Sequence, residues 1–138
     1  MIDFYYETDF NQENDDDIII WINQIIEKEG LETGEIVYVF CDDTYLLNLN
    51  KKYLNHDSLT DIISFDNRIG DQINGEIYIS IERVKENSKI YKTTFLDELN
   101  RVIIHGILHF CGYKDKSEEE SRLIRLKEDE ALELFKSI

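Results

Sequence analysis

The sequence contains no proline and little of several other residue types, with two cysteines, three histidines and six glycines in 138 residues. Cys41 and Cys111 are too few for a disulfide scaffold, and both lie in apolar stretches typical of buried free thiols. The longest aliphatic run, residues 18–22, is far too short to cross a bilayer. The first ten residues carry no basic side chain, so we expect no signal peptide. These absences favour a soluble protein of the reducing cytoplasm.

Basic residues are also scarce, because 15 Lys and Arg stand against 30 Asp and Glu, for a net charge of −15. An acidic protein repels phosphate backbones at long range, which disfavours simple electrostatic binding of nucleic acid. A local basic groove or a bound metal ion could still supply positive charge. The sequence shows no repeat, low-complexity tract or linker, so we predict one globular domain over residues 1–138.

Hydrophobic periodicity and chain-end signals predict four strands and five helices. The strands are predicted at residues 1–7, 35–41, 60–66 and 75–82, and the helices at 18–30, 42–54, 82–92, 93–113 and 117–138. Leu123, Leu126, Leu132 and Phe135 are the candidate apolar contacts of the last helix. Because strands and helices do not alternate strictly, we expect an α+β fold with a small mixed sheet of about four strands and about five helices packed on it.

Two of the three histidines, His105 and His109, stand four residues apart in the stretch HGILHFCGYKDK. Four residues make about one helical turn, so both imidazoles lie over one face of a helix. The flanking residues are apolar nearly all round, which predicts a buried helix whose imidazole nitrogens need partners. A metal ion bound by two neutral imidazoles would meet this need. The alternative is a pair of core histidines bonded to backbone carbonyls.

Asp115 follows His109 by six residues, after a predicted helix stop at Gly112. The chain can therefore turn back, and Asp115 could complete a three-ligand metal face with the fourth position open. The alternative role of Asp115 is a helix-capping or solvent-exposed acid. Cys111 is expected to point into the core. Gly106 stands where zinc proteases of the His-Glu-x-x-His type carry their catalytic glutamate, so that class is disfavoured.

Three stretches of the chain resemble the YbeY family of bacterial endoribonucleases. Residues 105–116, HGILHFCGYKDK, resemble the family pattern H-G-x-L-H-x-x-G-Y-D-H. Residues 49–65, LNKKYLNHDSLTDIISF, resemble L-N-x-x-Y-R-x-x-D-x-x-T-D-V-L-S-F. Residues 75–84, GEIYISIERV, resemble G-D-I-x-I-S-x-E-x-A, and the three stretches follow the family's order.

The resemblance implies a metal-dependent, single-strand-specific endoribonuclease that matures ribosomal RNA, notably the 3′ end of 16S rRNA, and acts in ribosome quality control. It implies one zinc ion bound by His105, His109 and Asp115, which would be the catalytic residues. It also implies single-stranded rRNA and the ribosome or its small subunit as partners, and a cytoplasmic location.

The departures of the chain from the family pattern include the following three substitutions. Asp115 replaces the third histidine, and a carboxylate ligand lowers the Lewis acidity of the ion and broadens the choice of metal. Leu54 replaces an arginine that could bind phosphate or stabilise developing charge, and Asp66 replaces a proline. The cations that could substitute for the arginine are Lys51, Lys52, Arg68 and Lys114.

Asp61, Ser64 and Lys114 are the candidate substrate-binding residues. Asp61 and Ser64 lie on or near a predicted strand and could orient substrate, but a strand-start cap and a half-buried hydroxyl are alternative roles for them. Two other functions remain open from the sequence. The protein could be a ribosome-associated assembly factor with a structural metal, or another zinc hydrolase such as a peptidase.

Overall fold

A four-stranded mixed sheet forms the centre of the protein in the computed structural model, which describes residues 1–56 and 58–138. The strands are β1 Ile2–Tyr6, β2 Glu32–Cys41, β3 Ile62–Asp66 and β4 Gln72–Ser80. Their order across the sheet is β1-β2-β4-β3. Strand β2 pairs in parallel with both β1 and β4, whereas β3 pairs antiparallel with β4.

The described residues form five helices, which pack on this sheet: α1 Asp15–Lys28, α2 Asp43–Leu54, α3 Ile81–Ile90, α4 Phe95–Phe110 and α5 Glu118–Phe135. The predicted α+β class is therefore confirmed. Local signals set the helix starts, because Thr94 caps α4 through the amide of Asp97 and Ser117 forms a capping box with Glu120 in α5. None of the helices in the described ranges has both the length and the apolar character needed to cross a membrane.

The two faces of the sheet bury cores of different size, because side chains alternate along each strand. The larger core lies between the sheet and helices α1, α4 and α5, and its strand residues include Ile36, Tyr38, Phe40, Ile77 and Ile79. The smaller core lies beneath α2 and consists of Cys41, Leu46 and Ile63. The histidine helix α4 therefore belongs to the main core.

Helix α4 lies close against strands β4 and β3. A Cβ atom added at Gly106 would lie 2.9 Å from Cδ1 of Ile77 and 3.2 Å from Cδ1 of Ile62, so close packing accounts for a glycine in mid-helix. Tyr38 of β2 donates its hydroxyl hydrogen to the carbonyl of Ile103 in α4 at 2.9 Å. These contacts fix the half of α4 that carries both histidines.

The apolar face of α5 differs from the prediction. Leu123 and Leu126 are 47% and 53% exposed, so their predicted core contacts are wrong. The buried residues of the helix are Ile124, Glu128 and Ala131, and Leu132 and Phe135 pack partly against the core. A carboxylate therefore occupies the middle of the buried stripe.

Close packing between Phe110 and Gly75 predicts that a methyl group at position 75 is destabilising. A Cβ atom there would lie 2.5 Å from Cζ of Phe110 and 2.6 Å from the carbonyl oxygen of Phe65, which is a backbone atom and cannot turn aside. We expect Gly75→Ala to lower the free energy of unfolding by roughly 1–3 kcal/mol, as overpacked cores do. Denaturant unfolding followed by circular dichroism measures this change.

Glu76→Ala is the matched control, because Glu76 is exposed on the same strand. We expect that control to change the free energy of unfolding by no more than about 0.5 kcal/mol. Equal stability of Gly75→Ala and the wild type would contradict the contact.

Candidate metal centre

His105 and His109 converge on Asp115 beyond the end of α4. The two Nε2 atoms lie 3.0 Å apart, and each lies 3.4 Å from Oδ2 of Asp115. Neighbouring ligand atoms around a tetrahedral zinc ion lie about 3.3 Å apart, because Zn–N and Zn–O bonds are about 2.0–2.2 Å long. This cluster, the one group of potential metal ligands found in the described residues, could therefore hold a metal ion.

A tight turn after α4 carries Asp115 back over the histidines. Gly112 has a φ of 107°, a backbone conformation that favours glycine. The amide of Tyr113 donates to the carbonyl of Leu108 at 3.0 Å, which closes the helix end. On the other side, the hydroxyl of Ser121 in α5 donates to the carbonyl of Asp115 at 3.0 Å. The turn predicted from the sequence thus has the direction that the ligand set requires.

Glu128 holds the ring of His105 from the opposite side, and the sequence analysis missed this residue. Its Oε2 accepts a hydrogen bond from Nδ1 of His105 at 2.5 Å, and its Oε1 accepts one from Arg101 at 2.9 Å. The Glu128 side chain is only 5% exposed, so these two partners compensate its buried charge. With the proton on Nδ1, the lone pair of Nε2 is available to bind an ion placed between the three ligand atoms, as metal-bound histidines require.

Negative charge around His105 favours a cation at this site. Burial alone lowers the pKa of His105, but the hydrogen bond and charge of Glu128, with the charges of Asp115 and Asp61, raise it overall. The negative charges that stabilise a proton on the imidazole would also stabilise a divalent cation bound at Nε2. The donor set and its surroundings therefore fit a metal ion.

A cavity of about 420 Å³ opens beside His105 and Asp115. Its polar lining includes Asp61, Glu98, Arg101, Arg125 and Glu128, and its apolar lining includes Ile62 and Val102. Burial raises the pKa of both Asp61 and Glu98. The volume is within the range of small-ligand sites, so a substrate group could reach the metal ligands.

The candidate substrate-binding residues lie in three different places. Asp61 borders the cavity beside the metal ligands. Ser64 borders a neighbouring cavity with Leu54, and Ile62 lies between the two cavities because it lines both. Lys114 is exposed and borders a separate pocket beside Cys111. The structure therefore brings Asp61 to the candidate centre and leaves Ser64 and Lys114 outside its cavity.

Cys111 lies outside the ligand cluster. Its side chain is half-buried and packs against the main core, which agrees with the sequence-based expectation. Burial raises the pKa of this thiol to about 12. The neutral thiol is therefore a packing group here.

A family model and similar proteins agree on one family, and a solved structure shares the fold. The family model described as Endoribonuclease YbeY matches residues 4–136. Endoribonuclease YbeY of Flavobacterium psychrophilum is 56% identical over 135 residues, which cover 98% of this chain and 96% of that protein. Endoribonuclease YbeY of Christiangramia forsetii is 52% identical over 134 residues, covering 97% and 94%. The solution structure of TM1509 from Thermotoga maritima superposes with a TM-score of 0.70 at 26% identity, covering 98% of this chain and 89% of that one.

The buried hydrogen bond to His105 predicts that Glu128→Gln weakens metal binding. The amide keeps the shape of the side chain but loses the charge that supports the imidazole, so we expect zinc affinity to fall by roughly 10- to 100-fold. Competition with a chromophoric chelator measures this affinity.

Asp129→Asn is the control for Glu128→Gln, because Asp129 accepts from Arg101 at 2.7 Å and makes no hydrogen bond to His105. We expect the control to keep the zinc affinity of the wild type. Wild-type zinc affinity in Glu128→Gln as well as in the control would show that Glu128 does not support the metal ligand.

Proposed function

This chain belongs to the YbeY family of endoribonucleases, and we propose that it cleaves single-stranded RNA at one divalent metal ion held by His105, His109 and Asp115. Family membership identifies it as a metal-dependent endoribonuclease that acts in rRNA maturation. The convergence of three donor atoms from α4 and the following turn is the observation that supports the metal site. In this proposal residues 1–138 act as one hydrolase domain.

Zinc is the ion that this donor set supports best. Two imidazoles and one carboxylate match the three protein ligands of catalytic zinc sites, in which a fourth position stays open. When bound, the ion would supply Lewis acidity or an activated water for cleavage of the phosphodiester. Glu128 orients His105, and the 44% exposure of the Asp115 side chain leaves this ligand accessible from solvent.

The cavity beside the ligands is the place we propose for the scissile phosphodiester. Asp61 is anchored there, because its carbonyl accepts from the amide of Ser80 at 2.9 Å and its carboxylate accepts from Asn87 at 3.5 Å. We infer that this carboxylate accepts a hydrogen bond from a ribose hydroxyl. Ser64, in the neighbouring cavity, would contact a nucleotide further along the strand. Lys114, exposed beside Asp115, would contact a phosphate outside the cavity.

Ribosomal RNA is the proposed substrate, with the 3′ end of 16S rRNA as the site of action and the small ribosomal subunit in the cytoplasm as the setting. The net charge of −15 means that the ion and local cations must attract the RNA, because the protein as a whole repels it. An assembly factor with a structural metal would need a closed site. The cavity that borders His105 and Asp115 supports the enzyme instead.

The three-ligand cluster predicts that Asp115→Ala loses both metal and RNA cleavage. Removal of one of three protein ligands leaves two imidazoles, so we expect near-stoichiometric zinc in the wild type and far less in the variant. Elemental mass spectrometry of untagged protein, paired with cleavage of a single-stranded RNA, measures both quantities.

Glu118→Ala is the control for Asp115→Ala, because Glu118 is 87% exposed at the start of α5. We expect it to keep metal and activity. Wild-type protein that binds metal but cleaves no RNA beyond a contaminating-nuclease control would favour the assembly factor. Wild-type protein without metal after zinc is supplied would overturn the proposed centre.

The position of Asp61 predicts that Asp61→Asn separates cleavage from metal binding. The amide keeps one acceptor oxygen but replaces the other with an N–H donor and loses the negative charge, so we expect kcat/KM for RNA to fall by roughly tenfold or more at unchanged zinc content. Asp66→Asn, at the exposed far end of β3, is the control and should match the wild type. Unchanged kinetics in Asp61→Asn would remove this residue from the substrate site.

A further inference from the structure

Arg125 lies on the part of α5 that supports the metal ligands. It stands four residues after Ser121 and three residues before Glu128, so the three side chains share one helix face. Ser121 holds the carbonyl of Asp115, and Glu128 holds the ring of His105. Arg125, between these two anchors, lines the same cavity as His105 and Asp115.

The cavity contains more carboxylates than cations. Its charged lining consists of the acids Asp61, Glu98, Asp115 and Glu128 and the cations Arg101 and Arg125. The guanidinium of Arg101 is already paired with carboxylates, because its two terminal nitrogens donate to Glu128 at 2.9 Å and to Asp129 at 2.7 Å. Arg125 is exposed and makes no hydrogen bond or ion pair with a carboxylate within the described part of the chain. Its charge acts at longer range to lower the pKa of Glu98, which burial raises overall.

Neither Arg68 nor Lys114 lines this cavity. Arg68 donates to the carbonyls of Gly70 and Phe110. Lys114 borders a different pocket, together with Cys111, Gly112 and Tyr113 of the turn after α4. An anion that entered the cavity would therefore find the guanidinium of Arg125 available, whereas that of Arg101 is already hydrogen-bonded.

We propose that Arg125 binds a non-bridging oxygen of the RNA phosphodiester in this cavity, an inference that rests on the proposed nuclease function. A guanidinium presents paired N–H donors that match two phosphate oxygens. A phosphate beside four carboxylates needs such a countercharge, and the chain's overall charge of −15 offers none at long range. Arg125 would contact the substrate and not the metal, so its loss should leave metal content unchanged.

The test compares Arg125→Gln, Arg125→Lys and the control Arg122→Gln in zinc-loaded protein. Arg122 lies on the same helix, outside the cavity, where it is 67% exposed and paired with Glu118 at 3.3 Å. Zinc content and the thermal midpoint report whether each variant stays intact. Binding of a single-stranded 2′-fluoro RNA oligonucleotide, measured by fluorescence anisotropy over a range of salt concentrations, reports the phosphate contact.

We expect Arg125→Gln to bind the oligonucleotide roughly tenfold or more weakly, since a charge-assisted bond to phosphate is lost. The slope of log affinity against log salt should become shallower by about 0.7, the value for one phosphate contact on a single strand. Arg125→Lys should recover part of the affinity, because its charge is kept without the paired donors. Arg122→Gln should match the wild type in affinity and slope.

Two results would overturn the proposal in distinguishable ways. If the wild type cleaves RNA and Arg125→Gln has the affinity and salt slope of Arg122→Gln, the assignment of Arg125 is wrong and the nuclease stands. If zinc-loaded wild type neither binds nor cleaves single-stranded RNA, both the nuclease and the role of Arg125 are wrong.

Discussion

The hydrogen bond between Glu128 and His105 links the candidate centre to the packing of the fold. A carboxylate buried without partners costs several kcal/mol by order of magnitude, so Glu128 requires both His105 and Arg101 of α4. The docking of helix α5 on α4 therefore depends on placing Glu128 opposite His105 and Arg101. The indole of Trp21 fixes the same helix from α1, because it donates to the carbonyl of Ala131 at 2.7 Å. The helix that completes the core is thus also the helix that orients the metal ligand.

The sheet constrains the other side of α4. Gly106 allows the helix to approach Ile77 and Ile62, and the Tyr38 hydroxyl bonds a carbonyl in the middle of α4. The histidines are then positioned by two rigid surfaces, the sheet below and α5 beside them. Such double support keeps ligand atoms within the narrow distances that a metal ion requires. Packing residues far from the chemistry therefore contribute to its geometry.

Local signals explain which parts of this arrangement could be predicted from the sequence. The Thr94 and Ser117 caps seen in the structure and the Gly112 stop depend on nearby residues, so the approximate bounds of α4 and α5 and the return of Asp115 followed from the sequence. The burial of Glu128 did not, because the leucines of α5 suggested a different inward face and the partners of Glu128 belong to another helix. The position of Ser64 in a neighbouring cavity also did not follow from the sequence, because it depends on tertiary packing around β3 at the edge of the sheet. Long-range partners decided the features that the sequence pattern missed.

The departures from the family pattern around the site act in opposite electrostatic directions and border different cavities. Asp115 in place of histidine adds one negative charge and Leu54 in place of arginine removes one positive charge, but Lys114 in place of the pattern's aspartate shifts the charge by two units toward positive. Of these three residues only Asp115 lines the cavity beside the metal ligands, where its carboxylate attracts a divalent cation but repels a phosphodiester. A bound metal ion would offset part of that repulsion. Arg101 cannot offset the rest, because its charge is neutralised by Glu128. Positive charge for the substrate must then come from a side chain without a carboxylate partner, which is the position that Arg125 occupies on the cavity wall.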